Sequence, residues 1–168
     1  DVASIQKSFV SILIGIAQQK RLLDINKSVT SYIGKWTLLT KEKENLITIR
    51  NLLTMTSGLD ADFKYDAQPG SKWLYNSRVY SQLIYVLEKT SGLQINELSS
   101  HWLFDELEMK ETFWKERKKG FGGFSKDSAK YGLITTAKDL LKFGEFILNG
   151  GEVGTNHVIW DIDFFDDT

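Results

Sequence analysis

The chain has 168 residues, of which 42% are hydrophobic and 26% are charged, and its formal net charge is −1. This length suffices for one domain with a hydrophobic core, and the near-zero charge gives no electrostatic basis for nucleic acid or an anionic membrane as a partner. No apolar run is long enough to span a membrane, and the absence of cysteine excludes disulfides and thiol chemistry.

The first predicted helix runs from near Ser4 to Lys20 or Arg21 and contains the only Ser-x-x-Lys sequence of the chain, at Ser4 and Lys7. Side chains three residues apart share one face of a helix. A serine hydroxyl becomes a nucleophile when a neighbour accepts its proton, and a lysine can be that neighbour if burial near a helix N-terminus lowers its pKa. In the first helical turn, the Ser4 backbone N–H would also be free to bind a substrate oxygen. The alternative interpretation is a surface serine that only caps the helix.

The next part of the chain is predicted to alternate between loops and short helices. Residues 22–33 predict a turn followed by a short helix, and residues 36–45 are polar and irregular. Thr48 predicts the N-cap of a helix that ends before Gly58. Residues 61–71, which contain the only proline, predict a loop.

The clearest amphipathic pattern begins at Ser77, where apolar residues recur at helical spacing until a glycine ends the helix. Residues 95–107 repeat this pattern. Residues 115–123 contain a basic run and three glycines, and they predict a solvated loop. Thr136, with Asp139 three residues later, resembles a capping box at the start of a last helix. The chain shows little strand pattern.

Five segments form an ordered set along the chain, namely residues 3–9, 52–59, 69–77, 103–112 and 131–144. The first contains Ser-x-x-Lys, and the third contains Tyr75, Asn76 and Ser77, which is similar to a Tyr-x-Asn motif. In this order the segments resemble the motifs of the serine β-lactamase superfamily, in its class C β-lactamase, D-Ala-D-Ala carboxypeptidase and esterase branch. The resemblance covers roughly residues 2–151.

The resemblance implies an acyl-enzyme site without a metal or cofactor. Ser4 is similar to the acylated nucleophile, Lys7 to its proton partner, and Tyr75 to the general base that later protonates the leaving group. Ser77 stands where the family has asparagine, so a hydroxyl of shorter reach would bind the substrate there. Asn76 would bind the substrate only if its loop shifted. Without the resemblance, Tyr75 is interpreted as a loop aromatic packed on the core.

The implied fold is mainly α and corresponds to the helical part of the β-lactamase/transpeptidase-like α+β fold. Its flanking β-sheet strands are expected to be absent from this chain, as is the family's third motif, Lys-Thr-Gly or His-x-Gly on a strand after the last helix. Residues 118–120 and 142–144 match those letters but occur too early in the order. We expect residues 1–151 to form the family region and residues 152–168 to form an acidic tail that is either disordered or foreign to the family.

Two functions are compatible with these observations. The first is a serine hydrolase that forms an acyl-enzyme at Ser4 with a β-lactam, a D-amino-acid peptide or an ester, and that is impaired because the third motif is missing. The second is a non-catalytic remnant or binding module that retains the helical scaffold. A small-molecule or peptide substrate is the expected ligand, and a second chain is one candidate source of the missing sheet. An extracytoplasmic location is suggested by the family alone.

The remaining candidate residues are interpreted as structural. His101 and His157 have no catalytic partner in sequence. The acidic residues of the tail lack the glycine turn and the glutamate of a calcium loop, so they predict no metal site. These acidic residues are Asp161, Asp163, Asp166 and Asp167.

Overall fold

The computed structural model describes residues 1–117, 130–153 and 156–157. A turn of 3₁₀ helix at Ala3–Ile5 leads directly into the helix α1 at Gln6–Gln19. The other helices of the described residues are α2 (Thr30–Ile33), α3 (Lys41–Glu44), α4 (Ile49–Leu53), α5 (Ser77–Tyr80), α6 (Gln82–Ser91), α7 (Ile95–Ser99) and α8 (Ala137–Leu148). A π-helical turn at Ser100–Phe104 continues α7. The mainly α prediction is therefore confirmed for this part of the chain.

Helix α1 lies at the centre of the core. Apolar residues occupy nearly all of its circumference from Phe9 onward, and a helix that is hydrophobic all round is typically buried. The ring of Phe9 stacks on Phe143 of α8 with 3.7 Å between centroids, and it meets Phe104 edge-on at 6.2 Å. Each such buried side chain contributes roughly 1.5–3 kcal/mol relative to an exposed one. The N-terminus of α1 is thus fixed to a rigid core.

The helix ends follow the local signals of the sequence. The hydroxyl of Thr48 accepts the Asn51 N–H, and the Asn51 side chain accepts the Thr48 N–H in return. Gly92 ends α6 in the left-handed region at φ +73°. At α8 the hydroxyl of Thr136 accepts the Asp139 N–H at 3.2 Å. The helix ends at Thr48 and Gly92 agree with the predictions from the sequence, whereas at Thr136 only the N-cap half of the predicted capping box is formed.

The prediction of a solvated loop over residues 115–123 is wrong for its first part. Residues Phe113–Glu116 form the strand β1, which pairs antiparallel with β2 at Tyr131–Ile134. Each strand has only four residues, which is too short for a period-two pattern to stand out. The pair is stabilised instead by burial of Trp114 and Leu133, which face each other in register. Residues 118–123 lie outside the described residues.

A second hairpin follows α8 and consists of β3 (Glu152–Val153) and β4 (Asn156–His157). It occupies the start of the segment expected to be an acidic tail, whose residues from 158 onward lie outside the described residues. Among the helices described, none is both long and apolar enough to cross a membrane.

Candidate active site

Ser4 lies in the 3₁₀ turn immediately before α1, and the residues around it hold that turn in an unusual conformation. Ala3 has φ +46°, in the left-handed region that non-glycine residues adopt at a cost of about 1–2 kcal/mol. Two hydrogen bonds from backbone N–H groups of this turn compensate the strain. The Ala3 N–H donates to the Asp1 carboxylate at 2.8 Å, and the Val2 N–H donates to the Leu133 carbonyl at 3.0 Å. The Ser4 side chain is consequently presented at the surface.

The structure brings Ser4, Lys7 and Tyr75 together, although Tyr75 is 71 residues from Ser4. The Ser4 hydroxyl and the Tyr75 hydroxyl are 2.5 Å apart. The Lys7 ammonium donates to the Tyr75 hydroxyl at 2.8 Å and to the Ser4 hydroxyl at 3.3 Å. The three polar atoms form a closed triangle, within which a proton can pass between any two members.

The electrostatics of this triangle favour the ionised form of Tyr75. The pKa of Tyr75 is lowered from 10.0 to about 8, first by the hydrogen bond from Lys7 and then by the one to Ser4, against a smaller opposing effect of burial. The Lys7 ammonium also lies 4.9 Å from the centroid of the Tyr75 ring. Tyr75 is therefore a phenol that exchanges its proton near neutral pH.

The loop between α4 and α5 carries Tyr75, and backbone hydrogen bonds fasten it to the end of α4. The Gly70 N–H donates to the Thr56 carbonyl at 2.8 Å, and the Leu74 N–H donates to the Met55 carbonyl at 2.9 Å. These bonds fix the loop on both sides of Trp73, whose side chain is 65% exposed. Its ring centroid lies 6.4 Å from that of Tyr75, so an aromatic surface borders the triangle.

Asn76 and Ser77, the predicted substrate-binding residues, differ in their surroundings. Asn76 is 8% exposed and caps α5, where its side chain accepts the Val79 N–H at 3.1 Å and donates to the Asp60 carbonyl at 2.8 Å. Both ends of this amide are occupied by the backbone. Ser77 is half-buried, and a hydrogen bond from its side chain also lowers the pKa of Tyr75. Of the two, only Ser77 faces the triangle.

Tyr80 lies one turn into the helical segment that begins at Ser77 and contacts the backbone of Lys7. Its hydroxyl donates to the Lys7 carbonyl at 2.9 Å, and its ring centroid lies 6.0 Å from the Lys7 ammonium. The side chain is 6% exposed, and burial raises the pKa of Tyr80. The sequence identified Tyr80 only as an apolar position of a helix, because its partner is a backbone carbonyl far away in sequence.

Gln6, between the serine and the lysine, was also missed by the sequence analysis. It is 5% exposed and reaches the β1–β2 hairpin. Its amide nitrogen donates to the Tyr131 carbonyl at 3.2 Å, while its amide oxygen accepts the Leu133 N–H at 3.1 Å and the Arg117 guanidinium at 3.3 Å. A buried glutamine in an otherwise apolar helix face is the one signal in the sequence that could have identified this contact.

The Ser4 backbone N–H is available for a ligand. Within the described residues it has no hydrogen-bond acceptor, whereas the N–H groups of Ala3 and Ile5 on either side are both bonded. Residues 142–144, which match the letters of the third motif, lie in α8, where the Lys142 ammonium donates to the Glu108 carbonyl. Residues 118–120 lie outside the described residues.

The other candidate residues take no part in the triangle. Trp114 is buried and donates its indole N–H to Ser99 at 2.9 Å, as a core aromatic does. His101 is exposed on the π-helical turn. Among residues 1–117 and the described residues after 129, no group of three or more His, Asp or Glu side chains is placed to hold a metal ion.

Comparisons with known proteins concern the family and the fold of the chain. Residues 1–161 match the family model described as Beta-lactamase. An uncharacterized protein of Alkalihalophilus pseudofirmus is 26% identical over an alignment of 175 positions, which covers 94% of this chain and 51% of that protein. A candidate β-lactamase from Bacteroides dorei has a similar fold, with a TM-score of 0.81 at 18% identity over 98% of this chain and 54% of that chain. A D-stereospecific amidohydrolase from Streptomyces has a TM-score of 0.75 at 16% identity over 94% of this chain and 63% of that chain. The chain therefore spans about half the length of the first two proteins that it matches.

Proposed function

The chain belongs to the serine β-lactamase and penicillin-binding-protein-like superfamily, and from this premise we propose that it is a serine hydrolase that forms an acyl-enzyme at Ser4. The observation that carries the proposal is the closed triangle of Ser4, Lys7 and Tyr75, with distances of 2.5, 2.8 and 3.3 Å. A nucleophile in hydrogen-bond contact with a base, which is itself held by a third group, is the arrangement that covalent catalysis requires.

In the proposed acylation, the Ser4 oxygen attacks the substrate carbonyl carbon while its proton passes to the phenolate of Tyr75. The bond between the carbonyl carbon and the leaving nitrogen or oxygen then breaks, and Tyr75 returns the proton to that leaving group. Water completes the cycle by attacking the acyl-enzyme, with Tyr75 again as base and Ser4 as the leaving group. The hydrogen bond from Lys7 to the Tyr75 oxygen favours the phenolate.

We further propose that Ser77 contacts the substrate and that Asn76 shapes the loop that carries Tyr75. The Ser77 side chain faces the triangle and hydrogen-bonds Tyr75, whereas both ends of the Asn76 amide already bond the backbone. The Ser4 N–H is the proposed first donor to the oxyanion that forms during attack. A β-lactam, a D-amino-acid peptide and an ester are the proposed substrates, since each presents a carbonyl that this chemistry cleaves. The Streptomyces protein of similar fold is named as an amidohydrolase, which supports an amide among them.

A polypeptide of these 168 residues is proposed to acylate slowly. Within the described residues, the Ser4 N–H is the one backbone donor placed for an oxyanion, and no Lys-Thr-Gly or His-x-Gly motif lies on a strand. One lost oxyanion donor costs roughly 3–4 kcal/mol, and a lost charged contact adds roughly 1.5–3 kcal/mol. Together these slow acylation by a factor on the order of 1,000 to 100,000. A non-catalytic scaffold remains the second candidate, because the same missing motif favours it.

The test is incubation with a fluorescent penicillin and, separately, with an activated ester, followed by intact-mass measurement. We expect slow addition of one acyl group that is absent from the Ser4→Ala variant. Rapid stoichiometric labelling at Ser4 would show that the proposed impairment is wrong. Labelling that persists in Ser4→Ala would contradict the proposed nucleophile.

A further inference from the structure

We propose that Gln6 is a positioning residue, which fixes the Ser4 turn and Lys7 to the edge of β2 that points away from β1 and so sets the distances within the triangle. The inference rests on the proposed function, because it concerns the same nucleophile. Gln6 touches none of the three reacting side chains. It acts through the backbone of the turn that carries two of them.

The amide of Gln6 takes the place of a peptide group in a neighbouring strand. In an antiparallel pair, alternate residues direct their N–H and C=O groups toward the same side. Tyr131 and Leu133 direct their backbone groups away from β1. The Gln6 side chain accepts the Leu133 N–H and donates to the Tyr131 C=O. The Val2 N–H bonds the Leu133 carbonyl and extends this contact by one more group. The segment around Ser4 therefore docks on β2 as an edge strand would.

A single orientation of the Gln6 amide satisfies all its contacts. The oxygen receives two donors, the Leu133 N–H and the Arg117 guanidinium, and the nitrogen faces one acceptor, the Tyr131 carbonyl. The reverse orientation would oppose donor to donor and acceptor to acceptor. Because the side chain is 5% exposed, water cannot replace these partners.

The β1–β2 hairpin and the residue after β1 also bind the chain before Ser4. Arg117, which follows β1, binds the Asp1 carboxylate through two hydrogen bonds of 2.8 and 2.9 Å. Gly132 makes room for this pair, since a Cβ at that position would lie 2.2 Å from the Asp1 carboxylate oxygen. Residues before and after Ser4 are thus anchored to the same hairpin. Since a misplacement of about 1 Å can lower the rate of an enzyme about 100-fold, such anchoring matters for reactivity.

The test uses the ionisation of Tyr75, which reports the distances in the triangle and does not depend on turnover. The variant Gln6→Met keeps the length of the side chain and removes its hydrogen bonds. Its matched control is Gln18→Met, because Gln18 accepts the Ile25 N–H at 3.1 Å near the opposite end of α1. The probe is the ¹³C resonance of the tyrosine ring carbon that bears the hydroxyl, titrated with pH and assigned by its absence in Tyr75→Phe.

We expect a Tyr75 pKa of about 8 in the wild type and in Gln18→Met, and a rise of about one unit toward 10 in Gln6→Met. An unchanged pKa in a folded Gln6→Met would overturn the inference alone, and so would an equal rise in Gln18→Met. A wild-type pKa near 10 would overturn both the inference and the proposed function. If circular dichroism shows that Gln6→Met is unfolded, the same titration is done on Gln6→Asn and interpreted in the same way. The asparagine amide is too short to bond both Tyr131 and Leu133.

Discussion

Tyr75 and Tyr80 both end in a phenol, but their pKa values are shifted in opposite directions. Tyr75 is half-exposed and receives the Lys7 ammonium, which lowers its pKa to about 8. Tyr80 is buried and donates to the Lys7 backbone, and burial raises its pKa. The charged form of a phenol is favoured by a nearby cation and disfavoured by desolvation. Two tyrosines five residues apart are therefore suited to different tasks, one to proton transfer and one to support.

The pH dependence of labelling tests the role of Tyr75. Because the phenolate is the proposed base, the rate of acylation at Ser4 should rise about tenfold per pH unit below pH 8 and level off above it. The measurement is a series of intact-mass time courses with an activated ester, corrected for its spontaneous hydrolysis. A Tyr75→Phe variant should lose both the rate and the rise. The same rise in that variant would contradict the assignment of the base.

Removal of the Lys7 ammonium tests the cause of the lowered pKa. In Lys7→Met the largest contribution to the shift is gone, so the pKa of Tyr75 should move from about 8 toward its ordinary value of 10. The same ¹³C titration measures this change. Lys20→Met is the control, because Lys20 lies at the other end of α1 and contacts the ring of Trp102 instead. A Tyr75 pKa that stays near 8 in Lys7→Met would show that another group lowers it.

The site could be predicted only in part from the sequence. Ser4 and Lys7 are detectable because a three-residue spacing defines one helix face, which is a local property. Tyr75 required the resemblance to a family, since no local pattern distinguishes it from an ordinary loop aromatic. Gln6 and Tyr80 were missed because both bond backbone groups far away in sequence. A backbone partner leaves no signature in its own residue type, and the polar Gln6 on an apolar helix face does not indicate which backbone group it bonds.

At the scale of single elements, α8 presents a buried face and an exposed end within three residues. Phe146 is 2% exposed and packs against Phe143, whereas Leu148 is 87% exposed. We expect Phe146→Ala to lower the free energy of unfolding by about 3–5 kcal/mol, and Leu148→Ala to change it by less than about 0.5 kcal/mol. Urea unfolding followed by circular dichroism measures both. Equal losses would mean that Leu148 is covered in solution.

The elements themselves were predictable to the extent that their signals are local. The ends of α4 and α6 follow from a capping box at Thr48 and a glycine at position 92, each contained within one helical turn. The capping box predicted at Thr136 is only half formed. Asp139 directs its carboxylate to the Glu111 N–H and the Thr112 hydroxyl, both at 2.9 Å, and so connects α8 to the chain before β1. The Asp139 carboxylate therefore forms tertiary contacts and not the second half of the capping box.

At the scale of the whole molecule, the hairpin and the helices are expected to unfold together. Trp114 in β1 is buried against α7, and Gln6 and Asp139 bond the hairpin and the residues before it to α1 and α8. Tryptophan fluorescence and far-UV circular dichroism should therefore give coincident urea transitions. The difference between wild type and Trp114→Phe isolates the fluorescence of the hairpin. A hairpin transition at lower urea would contradict this cooperativity.

The family was predictable at this scale because five segments occur in a fixed order, which chance does not readily produce. The β1–β2 hairpin was not, because its pairing joins residues 113–116 to residues 131–134 across a long connection. Bringing the ends of such a loop together costs conformational entropy, and the packing that offsets this cost exists only in the folded state. The sequence therefore indicated the helical scaffold better than the hairpin that anchors the turn containing Ser4.

The left-handed conformation of Ala3 has a consequence for chemical synthesis. A positive φ is disfavoured for an L residue and favoured for its mirror image, so D-alanine fits φ +46° without steric conflict. Glycine would also fit, but it would increase the conformational freedom of the unfolded chain. A chain assembled by peptide ligation with D-alanine at position 3 should therefore be more stable than the chain with L-alanine there and keep the same arrangement around Ser4. Inverting one stereocentre would stabilise the turn without changing the chemical composition of any side chain.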